Sequence, residues 1–201
     1  KIIGMDINKL SYFVTKVKTT PLSYQQLYTA NRWLSSNIDN LNLRNPSARA
    51  TEWINIGYQK NISGRTTWPI RKSIELALSK LSEVKDIYVE NFIRCVILRT
   101  GQWALDCRKE IPSANLFRKQ LFKFMGQMSD MASEYRKALL NEPICLNCSA
   151  EEISKFITFS KSSKPSLIIT SPPYPGVHAL YHRWQVNGRR ETPAPFWISN
   201  C

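Results

Sequence analysis

The sequence lacks several features that are typical of exported or membrane-bound chains. No uninterrupted apolar run approaches the length that spans a bilayer, and the first residues contain no signal-peptide hydrophobic segment. The five cysteines are odd in number and scattered, which favours reduced thiols over a disulfide framework. They are Cys95, Cys107, Cys145, Cys148 and Cys201. We therefore expect a cytoplasmic location, with no export signal and no membrane span.

Acidic residues are scarce in this chain. It has 15 Asp and Glu against 28 Lys and Arg, which gives a formal net charge of +13. Such a charge favours a polyanionic partner such as nucleic acid, although it carries no information about the fold. With 201 residues, of which 43% are hydrophobic, the chain can bury a core as one domain or one and a half. A disordered tail is excluded.

Near the C-terminus, an apolar run ends in a rigid polar tip. The run Leu167-Ile168-Ile169 has the composition of a strand, and the residues TSPPY follow it directly. The two prolines that begin at Pro172 fix φ, remove two N–H donors and keep Ser171 extended. The hydroxyl of Ser171, the carbonyl of Pro172 and the ring of Tyr174 therefore suit a planar group with an exocyclic amine.

The remaining pattern predicts an α/β fold with a long helical interruption. Strands are predicted at Lys1–Ile7 and Ile144–Asn147, and helices separated by polar loops, with a loop-rich stretch at residues 44–68, are predicted within residues 23–142 between them. With the strand before Ser171, this order predicts an interrupted doubly wound sheet. Its ligands would bind at the carboxyl ends of the strands, where Asp6 and Ser171 would lie. Asp6 is equally explained as a residue that caps the next helix.

The predicted helices follow from apolar spacing and from capping residues. They span Asn8–Lys18, Tyr24–Leu41, Pro69–Val84, Asp86–Arg108, Ser113–Leu140 and Ala150–Phe159, the last capped by Ser149. For the helix over Ser113–Leu140, the expected core face consists of Leu116, Leu121, Phe124, Met128 and Met131.

Two segments resemble one enzyme family. TSPPY, continued as PGVHALYHRWQVNGRRETPAPFWI, resembles the catalytic motif of S-adenosylmethionine-dependent DNA amino-methyltransferases, in the form typical of enzymes that act on cytosine N4. GMDINKLSYFVTKVKTTPLS resembles the segment that follows the cofactor-binding glycine loop in bacterial members. The helical stretch RTGQWALDCRKEIPS is similar to an insertion that some members carry. Two matched segments in the same order are more specific than either alone.

The resemblance implies a Rossmann-like methyltransferase sheet and a site-specific enzyme of a restriction–modification system. It divides the chain into a partial cofactor-binding segment at 1–22, a helical insertion and candidate DNA-recognition region at 23–142, and a catalytic segment at 143–201. The acceptor would be the cytosine N4 amine in double-stranded DNA, flipped out of the helix. The catalytic residues implied are Ser171, Pro172, Pro173 and Tyr174. A companion restriction endonuclease would fit the same picture.

S-adenosylmethionine is the cofactor that the resemblance implies. Asp6 would bind its ribose hydroxyls, and the family's contact to the adenine falls near Cys148 and Ser149, where this chain departs from the usual acidic or polar residue. The full set of cofactor-binding residues implied is Asp6, Ile7, Cys148, Ser149 and Thr170. The glycine loop would precede Lys1, so we expect this polypeptide alone to be inactive. Ring-carbon cytosine methylation, which uses a cysteine after a proline, is not expected because the chain has no Pro-Cys dipeptide.

Basic and aromatic residues mix in the polar region from Arg44 to Lys72, a composition that can bind phosphates and stack on bases. A basic, loop-rich insertion packed by its own aromatics explains the same composition. After the SPPY motif, further arginines contact phosphate or are simply solvated, and the resemblance favours phosphate. The predicted DNA-binding residues are Arg44, Arg49, Arg65, Arg71, Lys72, Arg183, Arg189 and Arg190.

Other interpretations remain open from the sequence. The acceptor could be adenine N6, RNA or a protein amide, or the chain could be a non-catalytic, mostly helical nucleic-acid-binding protein in which SPPY is only a turn. Cys145 and Cys148 have a CxxC spacing, but without a second pair we predict no metal site. His178 and His182 are spaced for one helical face, where surface or packing roles are expected.

Overall fold

A computed structural model of the chain describes residues 2–38, 43–44, 57–138, 141–157, 165–170, 183–188 and 190–201. Helices make up most of these residues and the strands are short, so the predicted mixed α/β class is confirmed at this level. In chain order the elements are β1 (Ile3–Met5), α1 (Lys9–Thr19), α2 (Tyr24–Asn37), α3 (Trp68–Lys80), α4 (Ile87–Leu105), α5 (Ala114–Ala138), β2 (Ile144–Leu146), α6 (Ile153–Phe156), β3 (Trp184–Val186), β4 (Arg190–Thr192) and α7 (Ala194–Ser199). Single 3₁₀ turns at Leu81–Glu83 and Ala150–Glu152 follow α3 and precede α6.

Side-chain caps fix where several helices begin. The Asn8 side chain accepts hydrogen bonds from the backbone N–H groups of Leu10 and Ser11 at the start of α1. Ser23 and Gln26 form a reciprocal capping box at α2, and Asp86 caps α4. Each cap satisfies N–H groups that the first turn of a helix leaves without partners. The predicted starts of these helices are confirmed, as is the cap of Ser149 on the 3₁₀ turn before α6.

The strands form two separate two-stranded sheets. β1 and β2 pair in parallel, with Ile3 opposite Ile144 and Met5 opposite Leu146. The predicted strands at the two ends of the helical insertion are thus confirmed and are hydrogen-bonded neighbours. β3 and β4 form an antiparallel hairpin, in which Asn187 and Gly188 have φ of 50° and 94°. Both angles are in the left-handed region, which Asn and Gly tolerate best.

Helix α4 lies at the centre of the core. It contacts α1, α2, α3, α5, α7 and β3, and its residues Ile93, Val96 and Ile97 are fully buried. The same buried cluster includes Leu10 and Phe13 of α1, along with residues of the C-terminal segment. The latter are Trp184, Val186, Ala194, Trp197 and Ile198. The three segments distinguished in the sequence therefore share one core.

The expected core face of α5 is only partly right. Leu121 is buried, but the other buried residues are Phe117 and Met125, while Leu116 and Met131 are 48% and 65% exposed. Phe124 and Met128 of the predicted face are partly buried against the core, so the buried side of the helix, which packs mainly against α4, overlaps the predicted face without matching it.

The strand expected before the SPPY motif is not formed. Leu167, Ile168 and Ile169 are 74%, 76% and 87% exposed and belong to no sheet. Apolar composition gives a segment strand propensity, but a strand also needs a hydrogen-bonding neighbour. Among the residues that the structure describes, this run has none.

Candidate functional site at the carboxyl ends of the parallel strands

The ends of β1 and β2 are hydrogen-bonded to each other just beyond the paired residues. The backbone N–H of Asp6 donates to the Leu146 carbonyl at 3.2 Å. The Asn147 side-chain Nδ2 donates to the Asp6 carbonyl at 2.8 Å. Because the strands are parallel, their first polar residues meet at one edge, and the side chains of Asp6 and Asn147 are both exposed there.

Asp6 itself forms a tight local turn. Its Oδ1 accepts a hydrogen bond from the backbone N–H of Asn8 at 2.8 Å, and Asn8 in turn caps α1. Asp6 therefore supports the helix start only indirectly, through the residue that caps it. The exposed carboxylate sits at the strand end, which is the position from which a carboxylate binds ribose hydroxyls in doubly wound folds.

Three other predicted cofactor residues follow the ends of β1 and β2 and differ in how exposed they are. Ile7 follows Asp6 and is 75% exposed, whereas Cys148 is only 7% exposed. Ser149 is half-buried, and its hydroxyl caps the N–H of Glu151 at 3.4 Å. Buried sulfur is a poor contact for a polar ligand, so the Cys148 side chain is the weakest member of the predicted set.

Asn147 was missed by the sequence reasoning. Asn147 is the first polar residue after β2, as Asp6 is after β1. This position could have identified it from the sequence. Thr170, the last predicted cofactor residue, is exposed at the end of the run Leu167–Thr170. The predicted catalytic residues Ser171, Pro172, Pro173 and Tyr174 lie outside the described residues, as do His178 and His182.

Two of the predicted DNA-binding cations belong to a buried network. Arg71 is 8% exposed, and its Nη1 lies 3.6 Å from Oε1 of the buried Glu75. Lys72 Nζ lies 3.8 Å from Oε2 of the same carboxylate. The hydroxyl of buried Tyr58 donates to Glu75 at 2.5 Å. Arg71 in particular has its charge inside the protein, and we remove it from the candidate DNA-binding set.

Burial has a clear effect on Tyr58. Burial first, and the hydrogen bond to Glu75 second, raise the pKa of Tyr58 from 10.0 to about 12. The neutral phenol is favoured because a buried phenolate would lie against an existing carboxylate. The ring also packs edge-on against Trp197 of α7, at 4.7 Å between centroids. The network thus joins the segment before α3 to the C-terminal helix.

Other predicted cations remain on the surface, around the β3–β4 hairpin. Arg65 and Arg190 are exposed, and Arg183 forms a surface ion pair with Glu191 at 3.0 Å. The side chain of Asn61 donates to the Glu191 carbonyl at 2.7 Å, which attaches the segment before α3 to β4. Arg44 is exposed in a short turn, and Arg49 and Arg189 lie outside the described residues.

The hairpin is held firmly on the end of α4. Trp184 packs against Gly101 so closely that a Cβ at Gly101 would lie 2.7 Å from its ring. Gln185 donates its N–H to Oδ1 of Asp106 at 2.9 Å and accepts from the N–H of Cys107 at 2.8 Å. Trp184 and Gln185 of the hairpin are therefore held by α4 and the turn that follows it.

Within the described part of the chain, no group of three or more His, Cys, Asp or Glu side chains could hold a metal ion. The Cys145 Sγ lies 3.6 Å from the Thr19 Oγ1. A search of the described helices finds none that is both long and apolar enough to cross a membrane. No protein-family model, curated protein or solved structure matches the chain.

Proposed function

We propose that this chain contributes an acceptor site and ribose-binding residues of the cofactor site to an S-adenosylmethionine-dependent DNA amino-methyltransferase that acts on cytosine N4. The observation that carries the proposal is the parallel pairing of β1 with β2 across the helical insertion. It brings Asp6 and Asn147 together at the carboxyl edge, which is the ligand-binding edge of a doubly wound sheet. We propose that β1 and β2 belong to a sheet of this Rossmann-like kind.

The side chains at this edge fit the polar part of the proposed cofactor. An exposed carboxylate on Asp6 can accept hydrogen bonds from two ribose hydroxyls, and the carboxamide of Asn147 can donate or accept beside it. Ile7 adds an exposed apolar surface next to the carboxylate. When bound, S-adenosylmethionine would supply an electrophilic methyl group on a sulfonium.

The SPPY residues would prepare the acceptor amine. The cytosine amino nitrogen is a poor nucleophile because its lone pair is delocalised into the ring. Hydrogen bonds from the amine to the Ser171 hydroxyl and the Pro172 carbonyl would favour a pyramidal nitrogen, whose lone pair is available for direct transfer. Tyr174 would stack on the flipped base. This role requires no covalent enzyme intermediate.

The proposed DNA contacts are the exposed cations near the hairpin, Arg65, Arg183 and Arg190. Arg183 already forms an ion pair with Glu191, so Arg65 and Arg190 are the stronger candidates for contact with phosphate. The hairpin comes after the SPPY motif in the chain and is held on α4 by hydrogen bonds and by the packing of Trp184.

The test is methyl transfer by the polypeptide encoded by the whole reading frame that contains these residues. Purified protein is incubated with radiolabelled cofactor and duplex DNA of mixed sequence. We expect Ser171→Ala and Tyr174→Ala to lower incorporation by roughly a hundredfold each, in the range of a lost catalytic hydrogen bond or positioning contact. Ser82→Ala, at an exposed serine of the 3₁₀ turn after α3, is the control and should retain most activity.

Unchanged incorporation in Ser171→Ala and Tyr174→Ala would reject the assigned catalytic role. DNA binding that persists with no incorporation in any variant would favour the other interpretation, a non-catalytic nucleic-acid-binding protein. That alternative is favoured only by the helical content and the charge of +13.

A further inference from the structure

Two arginines in and just beyond the last turns of α4 lie over aromatic rings. The guanidinium carbon of Arg99 is 5.1 Å from the centre of the Phe124 ring of α5, and that of Arg108 is 4.8 Å from the centre of the Trp103 ring. Both arginines are exposed, whereas both rings are partly buried and pack against the core. We call Arg99, Trp103, Arg108 and Phe124 the arginine strip. Each ring holds a positive charge in place at the surface.

The hydrogen bonds of these arginines leave one edge of each guanidinium open. Arg99 Nη1 donates to Gln102 Oε1 at 3.0 Å, which leaves Nε and Nη2, an edge that binds an oxyanion through two parallel hydrogen bonds. Arg108 Nε donates to the Trp103 carbonyl at 2.7 Å, which leaves both Nη groups. Among the described residues, neither guanidinium is paired with a carboxylate. The strip therefore presents two positioned sets of donors for oxyanions.

The spacing of the two stacks fits neighbouring phosphates of one nucleic-acid strand. Trp103 follows Arg99 by four residues on the same helix, so both lie on one face, about 6 Å apart along the axis. Successive phosphates of a strand have a similar separation. Because the rings already restrict the guanidinium groups, binding costs less side-chain entropy than it would for free arginines.

The surroundings of the strip are strongly basic. Residues 91–129 contain seven lysines and arginines and two acidic residues, a formal charge of +5 out of +13 for the whole chain. Of the two acidic residues, Asp106 already accepts a hydrogen bond from the backbone N–H of Gln185. The exposed cations of this range are Arg99, Arg108, Lys109, Lys119 and Lys123. A polyanion is the complementary partner for such a surface.

The strip also ends beside the β3–β4 hairpin. Arg108 directly follows Cys107, whose backbone N–H donates to the Gln185 carbonyl of β3 at 2.8 Å. The hairpin includes Arg190, one of the proposed phosphate contacts. The strip and the hairpin are therefore neighbouring parts of one basic surface.

We propose that the arginine strip binds the phosphate backbone of double-stranded DNA without reading its bases. Arg99 binds one phosphate through Nε and Nη2, and Arg108 binds the next through its two Nη groups. This inference rests on the proposed DNA partner and does not depend on methyl transfer. It adds two contacts that the sequence did not suggest, because the stacking of these arginines on rings is visible only in the fold.

Fluorescence anisotropy of the 201-residue chain with labelled duplex DNA of mixed sequence, over a range of salt concentrations, tests the strip. Arg99→Gln and Arg108→Gln should each reduce the slope of log affinity against log salt by about one. Arg99→Lys keeps the charge without the planar fork, so it should keep the slope and lower the affinity roughly two- to fivefold. Urea midpoints close to that of the wild type would show that these surface variants are folded.

The matched control is Arg32→Gln in α2. Arg32 is exposed, and it stacks on no ring of the described part of the chain, so its removal changes the net charge equally without touching the strip. Its slope should stay close to that of the wild type. An equal loss of slope in Arg32→Gln would show that DNA responds only to net charge, and the strip would be rejected.

Other outcomes separate the strip from the remaining proposals. Wild-type slopes in both Arg99→Gln and Arg108→Gln, with reduced slopes in Arg65→Gln and Arg190→Gln, would reject the strip and leave the proposed hairpin contacts intact. Wild-type affinity in Arg99→Lys would reject the role of the stacked fork. Poly-glutamate that displaces the labelled duplex as well as unlabelled duplex does, at equal charge concentration, would identify an acidic polypeptide as the occupant and contradict the assignment to DNA.

Discussion

At the scale of single residues, burial decides which charged groups can serve a partner. Arg71 and Arg65 were equivalent in the sequence, since both lie in the basic region between residues 44 and 72. The structure separates them, because Arg71 pairs with Glu75 inside the protein and Arg65 is exposed. The i,i+4 spacing of Arg71 and Glu75 is visible in the sequence, but the burial of the pair depends on how residues such as Tyr58, before α3, pack against that helix.

Tyr58 gives a prediction for stability and its dependence on pH. Its pKa is raised to about 12, so its contribution to stability is complete below about pH 10 and is lost as the pH rises through about 12. We expect Tyr58→Phe to lower the free energy of unfolding by about 1–3 kcal/mol at neutral pH, because Glu75 loses a buried donor.

Urea denaturation at neutral pH and between about pH 10 and 12 checks both parts. The difference in unfolding free energy between the wild type and Tyr58→Phe should shrink as the pH rises. Tyr88→Phe, at an exposed tyrosine, is the control and should behave like the wild type. A difference that stays constant across this range would contradict the assigned pKa.

At the scale of elements, local pattern predicted which segments form but not how they pair. The helical periodicity predicted α1, α2 and α4, whose starts the structure fixes with the caps Asn8, Ser23 and Asp86, and apolar runs predicted β1 and β2. The hairpin β3–β4 was missed although Asn187-Gly188 is a hairpin signal. The strand expected at Leu167–Ile169 was wrong, since its formation depends on a neighbouring strand and not on its own residues.

The packing of the β3–β4 hairpin against α4 gives a second prediction. Gly101→Ala would place a methyl carbon 2.7 Å from the Trp184 ring and 3.3 Å from Ile74, so one of these side chains must shift. We expect a loss of about 1–3 kcal/mol in the free energy of unfolding. The matched control is Gly126→Ala in α5, where a Cβ meets nothing within 4 Å.

The control should gain up to about 1 kcal/mol, because alanine favours helix over glycine. Denaturant midpoints and slopes for both variants check the pair. Equal stabilisation by both substitutions would show that Trp184 does not pack on Gly101 in solution.

At the scale of the whole molecule, the net charge of +13 predicts binding to nucleic acid that weakens steeply with salt. Arg65→Gln and Arg190→Gln should each reduce the slope of log affinity against log salt by about one. Lys16→Gln removes the same charge at the far end of α1 from Asp6 and should leave the slope nearly unchanged. Fluorescence anisotropy with labelled duplex DNA measures all three.

Equal slopes for the three variants would show that Arg65 and Arg190 are not special DNA contacts. DNA would then bind at another surface, or through the net positive charge of the whole protein. Binding that is flat with salt would reject an electrostatic interface altogether. Neither result bears on methyl transfer, so the predicted DNA-binding surface and the predicted reaction are tested independently.

The division into cofactor, recognition and catalytic segments stays a prediction, and side chains from all three segments are buried in one core. Composition changes at the predicted boundaries, whereas α1, α4 and the C-terminal hairpin bury their side chains together. Contacts between residues far apart in the chain carry this information, and local patterns do not.

The central claim is that the acceptor is the cytosine N4 amine in DNA. The most direct measurement is mass spectrometry of nucleosides from duplex DNA incubated with S-adenosylmethionine and the polypeptide encoded by the whole reading frame that contains these residues. We predict N4-methyldeoxycytidine, at a level that falls sharply in Ser171→Ala. N6-methyldeoxyadenosine would contradict the assigned acceptor, and the absence of any methylated nucleoside would contradict the assigned reaction.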